Sequence, residues 1–192
     1  MRNILIADRQ FVSGLRSNRN AHLISFNAEL NSPNGILLRA ASIIGSRKCK
    51  RIEILAHGTY SDLRYNNPDN LSSRVCVGYG GFAISMGTPK ITIDNTHVFS
   101  ILYDKVKTIV LDCCGIAYTN PIFRGGFGDG QLLCSMISRQ TKAVVYAADE
   151  VQYGANTSNL NNMHNRWRGN VYRFEPDGSF KNIGRDFSRF IE

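Results

Sequence analysis

Lys107-Thr108-Ile109-Val110-Leu111 runs without a break into Asp112-Cys113-Cys114-Gly115. Consecutive aliphatic residues with no polar alternation read as a strand buried on both faces. The polar residues and glycine that follow read as the loop leaving its carboxyl end. The same pattern recurs along the chain. Arg2 to Ala7 ends in Asp8-Arg9, Arg51 to Ala56 enters His57-Gly58, and Ala143 to Ala148 ends in Asp149-Glu150, with His22 to Phe26 a weaker strand. Between these runs the apolar spacing turns helical: Ile36, Leu37, Ala40, Ala41, Ile43 and Ile44 lie between Pro33-Asn34-Gly35 and a stop at Gly45. A short helix capped by Asp94 or Asn95 carries Val98, Ile101 and Leu102, and a later one carries Leu132, Leu133, Met136 and Ile137 on one face. This alternation predicts an α/β fold with a mainly parallel central sheet, covered by helices on both faces. Arg74 to Ser85 predicts an added β-hairpin turning at Gly80-Gly81, extended by Ile91-Thr92-Ile93. Glu175-Pro176-Asp177-Gly178 predicts a turn between two short C-terminal strands at the sheet edge. No repeat or linker divides the chain, so the expectation is a single domain over 1–192, with a core of about 1–150 and an extension of about 151–192.

The composition fits a globular protein. Among 192 residues, 43% are hydrophobic and 20% charged, and no apolar run approaches the length of a membrane span. The apolar start at Met1 is too short for a secretory signal peptide. The formal charge of +8 invites a polyanion partner, but the basic residues are scattered. Arg47-Lys48 and Lys50-Arg51 form the only tight cluster, which argues for a solvated basic face rather than a nucleic-acid site. Five cysteines, Cys49, Cys76, Cys113, Cys114 and Cys134, show neither paired spacing nor histidines at metal-ligand intervals. They read as reduced thiols, with no metal or organic cofactor required.

In an open parallel sheet the site lies beyond the carboxyl ends of the strands. His57 and Cys114 each occupy such a position. A thiol attacks as thiolate and needs a neighbouring base to become one, and histidine is the common choice. Gly58 and Gly115 would let a substrate carbonyl approach backbone N–H groups, as an oxyanion hole requires.

Ile52-Glu53-Ile54-Leu55-Ala56-His57-Gly58 followed by Thr108-Ile109-Val110-Leu111-Asp112-Cys113-Cys114-Gly115-Ile116-Ala117 resembles the paired motif of caspase-like cysteine peptidases. Within that superfamily the likeness is to the self-cleaving protease domains of bacterial toxins and to metacaspases. It covers roughly residues 1–150, and its specific part is these two motifs. The toxin and metacaspase registers select Cys114 as nucleophile, while the caspase register Cys-x-Gly selects Cys113; the residues favour Cys114, because Ile116-Ala117 fit and because a nucleophile sits past the strand end. The resemblance implies a caspase-like fold and a His–Cys dyad cleaving protein or peptide substrates. It also implies that Asp112 lines a pocket for a basic residue before the cut. Asp8 and Asp149, at two other strand ends, could add charge to the same rim, or could simply form turns. Toxin-type relatives need inositol hexakisphosphate, which makes Arg47, Lys48, Lys50 and Arg51 a candidate anion site. A bacterial effector or toxin, cytoplasmic or delivered into a target cell without a classical signal peptide, is the implied setting.

The loop Phe123-Arg124-Gly125-Gly126-Phe127-Gly128-Asp129-Gly130 lacks the order of a phosphate loop and reads as a mobile flank of the site, with self-cleavage after Arg124 implied only by the family. His22, His97 and His164 stand without catalytic partners in sequence, and Trp167 between Arg166 and Arg168 reads as an anchor. Two further functions stay open: a thiol-dependent deamidase or transferase acting on a protein, and a non-catalytic caspase-like domain that binds a polyanion.

Overall fold

The computed structural model describes residues 3–12, 21–61, 79–119, 121, 124–150 and 169–185. In chain order the strands are β1 (Asn3–Asp8), β2 (Ala21–Phe26), β3 (Cys49–Leu55), β4 (His57–Ser61), β5 (Tyr79–Ser85), β6 (Val106–Asp112), β7 (Val144–Ala148), β8 (Val171–Phe174) and β9 (Phe180–Gly184). The helices are α1 (Pro33–Ile44) and α2 (Gly130–Thr141), with a kinked 3-10 segment over Ile93–Leu102. Seven strands form one sheet in the order β2-β1-β3-β6-β7-β8-β9. The first five run parallel, and β8 and β9 close the edge antiparallel. The expected α/β class with a mainly parallel sheet is therefore present, and the C-terminal strands continue the same sheet.

Local chemistry sets the helix boundaries. The Ser32 hydroxyl accepts from the Gly35 N–H at 3.1 Å, Pro33 opens α1, and Gly45 at φ +64° ends it. The Asp129 carboxylate caps α2 through the Leu132 N–H at 3.0 Å. The segment expected to start at Asp94 or Asn95 is capped by Thr92 instead, in a reciprocal pair with Asn95, whose non-helical backbone kinks it.

The chain steps from β1 outward to β2 and then back across β1 to β3, which puts the switch point of the sheet between β1 and β3. Every later parallel crossover moves in the other direction. Right-handed crossovers made in one direction lie on one face. Accordingly α1, the 3-10 segment and α2 form a row, and their Leu37, Ala40, Phe99, Leu102, Leu133 and Ile137 pack on Ile6, Ile24, Ile54, Ile109, Leu111 and Val145 of the sheet. The expectation of helices on both faces is corrected to this extent: among the described residues all helical segments share one face. The opposite face carries smaller apolar clusters, Leu5, Ala7 and Leu55 in one and Val110, Tyr146, Ala148 and Val171 in the other.

The hairpin expectation also changes. Gly80-Gly81 is no turn, because β5 runs straight through it and pairs antiparallel with β4 as a separate two-stranded sheet. Gly81 sits at φ +83°, and a Cβ there would lie 2.3 Å from the Tyr118 carbonyl oxygen, so the glycine marks close backbone contact within a strand. Ile91 extends this sheet by bridging Ile84, as expected.

Ile109 is fully buried in the central strand of the helix-covered face. Ile109→Ala is expected to cost about 3 kcal/mol in denaturant unfolding. Leu38→Ala, at a site 49% exposed on α1, is expected to cost under about 0.5 kcal/mol.

Candidate active site

β3 and β6 are neighbours, with Leu55 opposite Asp112, so the chain leaves both strands at the same level. From β3 it passes through Ala56 into β4, which begins at His57; from β6 it passes into Cys113-Cys114. The two loops touch through backbone. A Cβ on Gly58 would lie 2.0 Å from the Cys114 carbonyl oxygen and 2.9 Å from its amide nitrogen. Residues far apart in sequence thus become immediate neighbours, and position 58 has room for hydrogen alone.

The two cysteines differ sharply. Cys113 is fully buried on the helix-covered face, its thiol donating weakly to the Ile54 carbonyl at 3.8 Å. Burial, reinforced by the Asp112 charge, pushes that thiol well above its ordinary range. Cys114 is half-buried, and His57, the residue before Gly58, is exposed. Cys49 and Cys134 are buried thiols, both raised by desolvation; Cys76, His164 and Trp167 lie outside the described residues. His22 is half-exposed at the start of β2, and His97 is exposed on the 3-10 segment.

His57 has neighbours that the sequence did not announce. Its Nε2 is 3.4 Å from Gln10 Oε1, and its ring lies against Phe11 with centroids 4.6 Å apart. Both come from the turn that follows β1, at the switch point of the sheet.

The backbone donors separate as well. The Gly115 N–H donates to the Glu150 carbonyl at 2.8 Å, so its expected oxyanion role is corrected: that donor is already engaged. Gly115 serves the loop through its φ of +56°. Gly58 stands opposite Ile84, whose N–H and carbonyl are both bonded to Ile91. In an antiparallel ladder this makes Gly58 a non-hydrogen-bonded partner, and its N–H points away from β5.

The three aspartates do not share a rim. Asp8 leaves β1 on the same face as Ile4 and Ile6, is 1% exposed, and accepts from the Gln10 N–H at 3.1 Å. Asp112 leaves β6 on the opposite face, with Val110. Asp149 clasps the start of β8, accepting from the Asn170 N–H at 2.7 Å, the Asn170 side chain at 3.1 Å and the Tyr172 hydroxyl at 3.4 Å. The carboxylate that does accompany Asp112 is Glu53, from the middle of β3. Desolvation pushes Glu53 up to about 7, partly offset by Arg51 and reinforced by Asp112. Desolvation likewise pushes Asp112 up to about 7. A charged residue inside the apolar run Ile52-Glu53-Ile54-Leu55 was the available signal for Glu53. Gln10 and Phe11 carried none, since only the fold brings them to His57.

The Gly-rich loop, expected to be mobile, is tied down over its described part. The Asp129 carboxylate accepts from the Gly125 N–H at 2.8 Å, the Thr119 hydroxyl at 2.6 Å and the Leu132 N–H at 3.0 Å. These bonds more than offset its burial and hold it below the usual carboxylate range. Arg124 is exposed. The basic cluster lies at the amino end of β3, away from His57, and does not form one patch. Lys48 is paired with Asp104, and Lys50 and Arg51 leave opposite faces of the strand. Among the described residues no three His, Cys, Asp or Glu are grouped to hold a metal, and no helix is long and apolar enough to cross a membrane. Comparison with protein-family models and with curated proteins finds no match to this chain.

Two outcomes are expected. Gly58→Ala must displace a backbone carbonyl, and is expected to cost about 1–3 kcal/mol in unfolding experiments. Because the folded chain holds the Glu53 proton up to about pH 7 and the unfolded chain releases it near 4.5, wild-type stability falls as pH rises between those values. Glu53→Gln removes that loss, so its stability relative to wild type is expected to improve by roughly 2 kcal/mol from pH 5 to pH 8.

Proposed function

We propose that the protein is a cysteine peptidase of caspase-like architecture, in which His57 and Cys114 form the catalytic dyad and the substrate carries a basic residue before the scissile bond. The observation that carries this reading is the Gly58–Cys114 backbone contact, which holds an exposed imidazole and a half-exposed thiol at adjoining strand ends. The burial of Cys113 supports Cys114 as the nucleophile over its neighbour. The mainly parallel sheet, with both motifs leaving neighbouring strands at one level, supports the caspase-like arrangement.

The chemistry follows from those positions. His57 takes the Cys114 proton, and the thiolate attacks the scissile carbonyl carbon. The Gly58 N–H donates to the oxyanion of the tetrahedral intermediate. Collapse of the intermediate returns the proton to the departing amine and leaves a thioester on Cys114. Water, deprotonated by His57, then hydrolyses the thioester. Asp112 with Glu53 gives the pocket its preference for Lys or Arg, since a bound cation offsets the repulsion between two crowded carboxylates.

The test is cleavage of a peptide library by the full chain. Arginyl or lysyl peptides are expected to be cut, with Cys114→Ala and His57→Ala each lowering kcat/KM on the order of a thousandfold and Cys113→Ser leaving it within a few fold. Because Glu53 and Asp112 ionise around pH 7, preference for an arginyl over a neutral substrate is expected to widen from pH 6 to pH 8. A peptidyl electrophile ending in arginine should label Cys114. Labelling at Cys113, or cleavage indifferent to Cys114→Ala, overturns the reading. Thiol-dependent release of ammonia from a protein without backbone cleavage would favour the deamidase instead.

A further inference from the structure

We propose that Gln10 is a positioning residue that holds His57 as its Nε2–H tautomer, so that Nδ1 is the nitrogen left to accept the Cys114 proton; the role of that proton rests on the peptidase reading above, and the tautomer does not. A neutral imidazole has one donor and one acceptor nitrogen, and the partner of the first decides which is which. Gln10 Oε1, 3.4 Å from Nε2, is an acceptor and selects the tautomer with hydrogen on Nε2. Phe11, the next residue, packs against the imidazole at a centroid distance of 4.6 Å and a tilt of 54°. An otherwise exposed side chain is thus held by two consecutive residues, one by a polar contact and one by ring packing.

The turn that presents them is itself fixed. The buried Asp8 carboxylate accepts the Gln10 N–H at 3.1 Å, the Asp8 carbonyl accepts the Phe11 N–H at 2.9 Å, and the Arg9 N–H donates to the Phe26 carbonyl at 2.9 Å. The clamp is therefore built on the carboxyl end of β1 and tied to β2. An amide fixes the tautomer without placing a charge on the imidazole, and holding one rotamer keeps Nδ1 turned to one side.

The experiment reads the imidazole nitrogens of the 15N-labelled full chain by long-range 1H–15N correlation, with the His57 signals assigned by their loss in His57→Ala. Wild type is expected to show Nε2 protonated and Nδ1 bare. Gln10→Ala is expected to give a mixed population, and Gln10→Glu, which keeps the acceptor, to restore Nε2–H. For peptide cleavage, Gln10→Ala is expected to lower kcat about tenfold with KM within twofold. A wild-type Nδ1–H tautomer, or one unchanged in Gln10→Ala, overturns the proposal. Because the tautomer is read without turnover, an Nε2–H signature that depends on Gln10 in a chain that cleaves nothing supports the positioning role and overturns the peptidase reading alone.

Discussion

The backbone of Gly58 lies directly on the backbone of Cys114, and the geometry of this end of the sheet follows from that contact. Parallel pairing of β3 with β6 brings the two chains out of the sheet side by side. β4 then turns across Cys114 to meet β5. For β4 to pass this closely, position 58 must carry no Cβ. Of the two cysteines that follow β6, Cys113 packs into the helix-covered core while Cys114, under β4, stays half-buried. Alternation past the strand end therefore sorts two adjacent, chemically identical thiols into a core residue and a half-buried one.

Electrostatics on the uncovered-by-helix face follow from the same strand pairing. Glu53 and Asp112 project from neighbouring strands to one side, where desolvation makes each a weak acid. Two carboxylates crowded together in a poorly solvated setting favour sharing protons or gaining a cation over standing fully ionised. Arg51, farther back on the same face of β3, offsets part of that strain for Glu53. The pair thus carries a folding cost that rises with pH.

Other acidic residues at the same end of the sheet do architectural work. Asp129 closes the Gly-rich loop against Thr119 and the first turn of α2, Asp149 ties the end of β7 to the start of β8, and Asp8 braces the turn carrying Gln10 and Phe11. Asp129 and Asp149 turn both oxygens to backbone or neighbouring side chains, while Asp8 uses Oδ1 alone. Their positions in sequence resemble that of Asp112, whose charge instead acts on the buried Glu53 of the neighbouring strand.

Much of the fold was legible in the chain itself. Runs such as Ile109-Val110-Leu111 and Val144-Val145-Tyr146 are too uniformly apolar to be anything but buried strands. Ser32, Pro33, Gly45 and Asp129 mark helix ends by local hydrogen bonding and dihedral preference, which act over a few residues and so survive in one dimension. That His57-Gly58 and Cys113-Cys114-Gly115 each leave the carboxyl end of a strand was legible for the same reason, since each follows an apolar run. What the sequence could not determine depends on which face a side chain leaves and on which segments meet. Alternation along β1 and β6 sends Asp8 and Asp112 to opposite sides; β5 passes through Gly80-Gly81 because another backbone lies 2.3 Å from where a side chain would be; and Gln10 reaches His57 because the order β1-β3 sets their strand ends side by side. Local chemistry decided the elements and marked their ends, but long-range packing alone decided which of those ends touch.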